Sequence, residues 1–322
     1  MAVYTTLTNK DVLLLSNNYQ IDKVIKFGGI KKGIENTNYF LKTDKKKFII
    51  TIFEKRVRKK DLPFFMNLMD KLNQKKILCP KPLKNKKGKY LSTIKHKSAC
   101  IVTFLKGKDK AHLDYKNCFD VGKNIAKFHK VTSKIGLHRE NSMSVKKLDG
   151  LLKSIKFKSI KKTLDLKSAL NKNLRDIKRA WPINLPTGII HGDLFVDNIF
   201  FDKNKFSGFI DFYFSSNDYL MYEIAICINA LCFDKKKRKF AMNSKKIKNL
   251  INGYESVRIL SKKEKNSINV LCRGAALRYL LTRIYDYFNT PKTALIKIKD
   301  PNEYLQKLII HNNLSSYNDY YN

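Results

Sequence analysis

The hydrophobic and polar positions of the chain follow two different periods, which change near residue 106. Before that point, short segments rich in apolar and β-branched residues alternate with turns that contain Gly, Asn, Asp and Lys. These segments predict strands at 22–30, 36–43, 47–53, 88–94 and 98–105. Apolar residues at helical spacing predict a helix at 8–19, with Thr8 as its cap and Asp11 three residues on. A second predicted helix is capped by Asp61 and has Pro63 in its first turn. The first part therefore predicts a small antiparallel sheet accompanied by helix.

Beyond residue 106, apolar residues recur mainly at helical spacing. The predicted helices are 114–132, 158–180, 216–233, 244–256, 261–288 and 300–312. Residues 188–214, GIIHGDLFVDNIFFDKNKFSGFIDFYF, interrupt them and predict a strand, a polar loop and a tight hairpin. A strand-rich start followed by a helix-rich remainder predicts an α+β chain with two lobes, 1–106 and 107–322.

The composition fits a two-lobe protein with a real core, since 43% of the 322 residues are hydrophobic. The chain contains no run of eighteen apolar residues, and its start lacks the basic-then-apolar order of a secretory signal. The six cysteines form no C-x-x-C pair, so neither a disulfide framework nor a zinc site is indicated. We therefore expect a cytoplasmic protein without a membrane segment.

The net charge of +39 raises the possibility of a nucleic-acid partner, because basic surfaces bind phosphate backbones by releasing counterions. Only ten of the 66 basic residues are Arg, although base and phosphate recognition favours Arg for its bidentate fork. The lysines are spread along the whole chain, singly or in short runs. We interpret them as solvated surface positions and expect no specific nucleic-acid partner.

The chemistry of the chain is concentrated in H-x-D-x-x-x-x-N, formed by His191, Asp193 and Asn198, and in Asp211 beyond a hairpin. Phosphoryl transfer needs a carboxylate that orients and deprotonates the attacking hydroxyl, together with oxygen ligands for Mg²⁺. The alternative is a polar surface hairpin with an Asp at its turn. That alternative explains poorly why Asp211 lies between two apolar residues, where a buried carboxylate would be costly.

This motif resembles the catalytic and metal-binding loops of the aminoglycoside phosphotransferase and choline kinase group, whose fold is that of protein kinases. Other segments, spread over nearly the whole chain, are similar to the homoserine kinases of this fold. They are GGIKKGIENTNYFLKT, FIITIFEKRV, DLPFF, IVTFLKG, GIIHGDLFVDNIFF, GFIDFYF, AICINALCF, RGAALRYLLTRIYDYFNTP and KDPNEYL. The resemblance implies a small antiparallel-sheet lobe that covers ATP and a mainly helical catalytic lobe.

The resemblance assigns roles to the motif residues. Asp193 matches the catalytic base, and Asn198 and Asp211 match the Mg²⁺ ligands. His191 is the second catalytic candidate, although it matches the loop histidine, which in this fold is generally structural and hydrogen-bonds to hold the loop. Asp218, Tyr222 and Glu223 match the segment after the metal aspartate, and the resemblance implies that they orient the catalytic loop. ATP and Mg²⁺ are thus the expected cofactors.

The expected nucleotide contacts lie in three segments. Thr51 stands where the phosphate-pairing Lys of protein kinases would be, so a positive charge must come from elsewhere, with both residues after Glu54 as candidates. The glycine-containing turn between the first strands is placed to cover the phosphates. The segment before Gly107 resembles the hinge that binds adenine. The candidate residues are Gly33, Asn36, Thr37, Asn38, Lys55, Arg56, Thr103 and Leu105.

For the acceptor, the resemblance implies L-homoserine, a small molecule with an α-carboxylate and an α-ammonium group. Arg would bind the carboxylate and Asp the ammonium group. The candidates are Tyr213, Arg278, Arg283, Tyr285 and Asp286. Intrahelical pairing of Arg283 with Asp286 is the structural alternative.

Two other functions stay open at this point. One is the same chemistry on another alcohol: choline would call for an aromatic cage, and an aminoglycoside for an acidic acceptor face. The other is a non-catalytic basic binding protein on a kinase scaffold, against which the intact Asp193, Asn198 and Asp211 argue.

Overall fold

The structure, a computed structural model, describes residues 3–31, 36–54, 57–157, 161–290 and 298–321. The chain forms two compact units. The first comprises Met1–Lys108 and Phe200–Tyr213, and the second comprises Asp109–Ile199 and Phe214–Asn322. The predicted division at residue 106 placed 200–213 in the second lobe, whereas this segment packs within the first unit.

Strands occur mainly in the first unit. Those of the described residues are β1 Val24–Gly29, β2 Thr37–Thr43, β3 Lys47–Ile52, β4 Leu91–Ile94, β5 Lys97–Thr103, β6 Thr187–Ile190, β7 Ile199–Asp202, β8 Lys205–Phe209, β9 Ser216–Tyr219, β10 Phe233–Lys236 and β11 Lys239–Met242. The first five form one sheet in the order β1-β2-β3-β5-β4, with all neighbours antiparallel. The predicted antiparallel sheet is confirmed.

Helices occur in both units and dominate the second. Those of the described residues are α1 Asn9–Asn18, α2 Leu62–Gln74, α3 Tyr115–Thr132, α4 Leu148–Ser154, α5 Lys161–Ala180, α6 Leu220–Leu231, α7 Ser244–Glu255, α8 Lys262–Asn266, α9 Ile268–Asn289, α10 Asn302–Asn312 and α11 Asn318–Tyr321. Among these residues, no helix has both the length and the apolar character needed to cross a bilayer.

The first unit is built around the buried faces of its sheet. Thr8 and Asp11 close the start of α1 as a capping box, as the sequence predicted. Leu15 of α1 and Leu41 and Ile50 of the sheet belong to one apolar cluster. The β7–β8 hairpin joins this unit through the Phe209 N–H, which donates to the Leu78 carbonyl at 3.1 Å.

The second unit contains a close contact between α3 and α7 that only glycine permits. A Cβ atom at Gly122 would lie 1.9 Å from the Leu250 carbonyl oxygen, and one at Gly253 would lie 2.0 Å from the Phe119 carbonyl oxygen. Any side chain at either position would push the helices apart.

All six cysteines of the chain are buried free thiols.

Two predicted helices differ from the structure. Residues 216–219 form β9, which pairs antiparallel with β6, so the helix predicted at 216–233 begins only at Leu220. Pairing with Thr187–Ile190 of β6 holds these residues extended, although Ser, Asn and Asp are themselves favoured at helix starts. The helix predicted at 261–288 is divided at Ser267 into α8 and α9.

Candidate active site

The catalytic loop runs from His191 to Asn198, between β6 and β7. Gly192 has φ +77°, a left-handed conformation that L side chains rarely adopt. A Cβ atom there would also lie 3.1 Å from the carbonyl oxygen of Phe214. Any side chain at this position would therefore be strained and crowded, which favours the glycine that the sequence places between His191 and Asp193.

Glu223 of α6 fixes the start of this loop. Its carboxylate accepts hydrogen bonds from the backbone N–H groups of His191 and Gly192, the latter at 3.2 Å from both oxygens. Burial raises the pKa of Glu223 to about 8, although these two N–H groups and the Arg278 charge act to lower it. These hydrogen bonds tie α6 to the backbone at the start of the catalytic loop.

His191 takes part in the loop through its backbone. The residue is fully buried. Its N–H donates to Glu223, and its carbonyl oxygen accepts from the Ser215 hydroxyl at 3.4 Å. These contacts hold the backbone of the loop at His191.

Asp193 and Asn198 are joined directly. The Nδ2 atom of Asn198 lies 2.8 Å from the carbonyl oxygen of Asp193 and 3.3 Å from its Oδ2. Asn198 is buried, whereas Asp193 is half-buried. The amide nitrogen of Asn198 thus serves the loop, and its oxygen is the atom suited to a Mg²⁺ ion, which takes oxygen ligands.

Tyr279 of α9 contacts the catalytic loop, and the sequence patterns did not predict this contact. Its hydroxyl donates to the Gly192 carbonyl oxygen at 3.1 Å and lies 3.5 Å from Oδ1 of Asp193. Tyr279 falls within an apolar helical stripe, where an aromatic residue is indistinguishable from core. Nothing in the local sequence signals the contact.

Arg278, one residue earlier, places a buried cation near the loop. It is 3% exposed, and its Nε and Nη1 atoms have no hydrogen-bond partner within the described part of the chain. Its guanidinium carbon lies 4.8 Å from the Tyr279 ring centroid. Burial acts to lower the pKa of Arg278, but Tyr279, Tyr222 and Asp193 raise it above its usual value. Donors without a partner are costly on a buried cation.

The other acceptor candidates on α9 have different surroundings. Arg283 donates from Nη1 to the Asp300 carbonyl at 2.9 Å and to the Glu303 carboxylate at 2.8 Å. The carboxylate of Glu303, on α10, is thus a partner of Arg283 that the sequence spacing did not indicate. Tyr285 and Asp286 are both half-buried.

In the first unit, Asp211 follows β8 with φ +64°, which is uncommon outside glycine. The residue is exposed, so the expectation of a buried carboxylate between Ile210 and Phe212 is wrong. The chain turns at this point and buries only Phe212. Strained backbone of this kind is concentrated at functional sites.

Tyr213, a candidate for the acceptor, is half-buried in the first unit. Its ring contacts Phe53 and Phe65 edge to face, with centroids 5.0 and 5.7 Å apart. Burial raises its pKa well above the usual value. These contacts give Tyr213 a packing role within the unit.

The candidate nucleotide-binding residues in β2 and directly before it form hydrogen bonds with other residues of the first unit. Thr37 is fully buried, and its hydroxyl donates to Glu54 Oε1 at 2.8 Å. Asn36 is also buried, and its Oδ1 lies 3.4 Å from the Glu54 backbone nitrogen. Half-buried Asn38 accepts from the Thr51 hydroxyl at 2.8 Å through Oδ1.

The remaining nucleotide candidates lie at the end of β5 or outside the described residues. The Thr103 hydroxyl accepts from the Lys81 N–H at 2.9 Å, and Leu105 is half-buried. Gly33, Lys55 and Arg56 lie outside the described residues.

The fold and the catalytic loop define a phosphotransferase. The phosphotransferase enzyme family matches residues 26–258, and the chain belongs to this family. Full-length relatives are named homoserine kinase. That of Paramagnetospirillum magneticum is 40% identical over 99% of each chain, and that of Rhizobium johnstonii is 39% identical over 99% of each chain.

Solved structures show the same fold at low sequence identity. An amicoumacin kinase in complex with AMP-PNP and Ca²⁺ has a TM-score of 0.71 at 13% identity, covering 97% of each chain. A spectinomycin phosphotransferase in complex with ADP has a TM-score of 0.68 at 15% identity, covering 96% of this chain and 99% of that one. The expected protein-kinase-like fold and family resemblance are confirmed.

Proposed function

We propose that this protein transfers the γ-phosphoryl group of ATP to the side-chain hydroxyl of L-homoserine. The product is O-phospho-L-homoserine, a precursor in threonine biosynthesis. The observation that carries the proposal is the similarity of about 40% over 99% of the chain to proteins named homoserine kinase. Relatives similar only in the catalytic loop would leave the acceptor undefined, whereas the similarity to these relatives covers 99% of the chain, including α9 with the acceptor candidates.

Asp193 is the proposed base. Its carboxylate orients the acceptor hydroxyl and takes its proton as the oxygen bonds to the γ-phosphorus. The bond between the γ-phosphorus and the bridging oxygen breaks, and ADP leaves. Glu223 and Asn198 support this role, because they hold the backbone on both sides of Asp193.

Asn198 and Asp211 are the proposed Mg²⁺ ligands. Mg²⁺ usually takes one or two protein oxygens and completes its shell with phosphate and water oxygens, so an amide oxygen and an exposed carboxylate fit the ion. Bound there, Mg²⁺ would neutralise charge on the β- and γ-phosphates. The exposure of Asp211 supports the assignment, since a ligand must be reachable by the nucleotide.

For the nucleotide, we propose that the turn containing Gly33 covers the phosphates and that Lys55 or Arg56 adds positive charge. The backbone of Thr103 to Leu105 would bind adenine. The buried hydroxyl of Thr37 supports a positioning role instead of direct phosphate contact.

For the acceptor, Arg278 is the proposed ligand of the α-carboxylate, because its Nε and Nη1 donors are unused within the described residues. Asp286 would bind the α-ammonium group, with Tyr285 on the same helix. Arg283 is already bound by Glu303, so Arg278 is preferred over it.

The test is direct observation of product. The purified protein is incubated with Mg²⁺-ATP and L-homoserine, and the reaction is followed by ³¹P NMR and ADP release. Formation of a phosphomonoester that depends on L-homoserine supports the proposal. Turnover of choline or kanamycin alone would assign another alcohol kinase, and no turnover of any acceptor would favour a non-catalytic role.

A further inference from the structure

We propose that Tyr279 is a positioning residue for Asp193, acting through its hydroxyl. The inference rests on the proposed function, in which Asp193 accepts the proton of the acceptor. The phenol is buried on α9, and its oxygen lies 3.1 Å from the carbonyl oxygen of Gly192, the residue directly before Asp193.

The bond matters because Gly192 has little conformational preference of its own. Glycine at φ +77° can reach many other conformations at no steric cost. Glu223 holds the N–H side of Gly192, and Tyr279 holds its carbonyl side. Together they fix the peptide units on both sides of the Gly192 Cα atom, the second of which leads into Asp193, so two different helices hold the backbone from which the Asp193 side chain projects.

The same hydroxyl also faces the carboxylate. It lies 3.5 Å from Oδ1 of Asp193, while Asn198 Nδ2 lies 3.3 Å from Oδ2. Because a phenol has a single O–H, the contact with Oδ1 is the longer arm of a hydrogen bond shared with the Gly192 carbonyl oxygen, and it limits rotation of the carboxylate together with Asn198. Reaction rates are sensitive to such orientation, since a displacement of about 1 Å can cost about 100-fold in rate.

The role belongs to the hydroxyl and not to the ring. The ring packs edge to face on Phe195 at 4.9 Å between centroids and lies 5.2 Å from the ring of Tyr304. Phenylalanine would keep these contacts and remove only the hydrogen bonds. Tyr279→Phe therefore separates positioning of the loop from packing of the core.

The neighbouring Tyr304 provides a matched control. It is also buried, and its hydroxyl has no hydrogen-bond partner among the described residues. Tyr304→Phe removes the same atom from an adjacent ring without removing a bond to the loop. A general effect of deleting a buried phenol oxygen would appear in both variants, whereas a positioning effect would appear only in Tyr279→Phe.

The experiment compares kcat and both KM values of the wild type, Tyr279→Phe and Tyr304→Phe, with melting temperatures for each. We expect kcat of Tyr279→Phe to fall at least about tenfold while KM for ATP and for L-homoserine stays within about twofold. Tyr304→Phe should match the wild type. A kcat of Tyr279→Phe within about twofold of wild type, or an equal loss in both variants, overturns the inference.

Failure of the proposed substrate gives a different result. If the wild type phosphorylates another alcohol and leaves L-homoserine unchanged, the substrate assignment fails. The comparison of the two variants is then made on the alcohol that is used. An unchanged kcat of Tyr279→Phe on that alcohol overturns the positioning role, and a selective loss of kcat supports it.

Discussion

Asn198 donates a 2.8 Å hydrogen bond from Nδ2 to the carbonyl oxygen of Asp193. The bond links the proposed metal ligand directly to the proposed base, and both residues lie in the catalytic loop. A change at either residue is therefore expected to disturb the other, and single variants must be chosen so that they preserve the loop.

Asp193→Asn keeps the size of the side chain and removes its ability to accept a proton. We expect kcat to fall by at least about 100-fold, the usual contribution of a positioned base, with nucleotide affinity nearly unchanged. Steady-state kinetics and calorimetric titration of Mg²⁺-ATP measure the two quantities. Activity within about tenfold of wild type would argue against Asp193 as the base.

Asp211→Asn tests the metal assignment without adding backbone strain, because Asn tolerates the left-handed conformation as well as Asp does. We expect weaker Mg²⁺-ATP binding and loss of turnover, since one carboxylate charge on the ion is removed. The melting temperature, which should stay close to wild type, is the control. Retained affinity together with retained turnover would remove Asp211 from the site.

Glu223 should make stability depend on pH. Its pKa of about 8 lies above the usual value of 4.5, so between these values the folded protein binds more protons than the unfolded chain. The stability that depends on Glu223 must therefore fall as pH rises through this window, by at most about 1.4 kcal/mol per pH unit. Glu223→Gln abolishes the titration.

The measurement is urea unfolding of the wild type and Glu223→Gln at several pH values between 5 and 8. The difference in unfolding free energy should shift in favour of the variant as pH rises. Asp218, whose pKa is also raised by burial, is present in both proteins and cancels. If the difference in unfolding free energy between the two proteins did not vary with pH, the raised pKa of Glu223 would be contradicted.

Thr37 is expected to stabilise the first unit. Its hydroxyl accepts from the N–H groups of Tyr4 at 2.9 Å and Thr5 at 3.2 Å and donates to Glu54. Thr37→Val leaves buried polar groups without this partner and should cost about 1–3 kcal/mol in unfolding free energy. Thr37→Ser keeps the hydroxyl and is the matched control. If Thr37→Val weakened ATP binding and left stability unchanged, Thr37 would be a direct nucleotide contact.

The sequence was sufficient for features set by local spacing. The sheet strands follow from apolar segments and turns, and the catalytic loop from the fixed order of His191, Asp193 and Asn198. Tyr279 could not be found in this way, because it meets Gly192 across 87 positions of chain. Arg283 likewise binds Glu303 of another helix, and sequence spacing suggested only Asp286. Such pairs depend on tertiary packing, which local patterns do not encode.

The central claim is tested most directly by acceptor selectivity. Arg278 is buried, and its Nε and Nη1 donors have no partner among the described residues, so an acceptor without a carboxylate should leave these donors unsatisfied. The measurement compares kcat/KM for L-homoserine with that for 3-amino-1-propanol, which has the same amine and hydroxyl without the carboxylate, and with those for choline and kanamycin. Arg278→Lys, which keeps the positive charge and loses the bidentate guanidinium group, is assayed in parallel.

We predict that the wild type prefers L-homoserine over the amino alcohol by at least about 100-fold, or about 2.7 kcal/mol of transition-state stabilisation. The preference should shrink in Arg278→Lys. A wild-type kcat/KM for 3-amino-1-propanol, choline or kanamycin that equals or exceeds the value for L-homoserine would contradict the account.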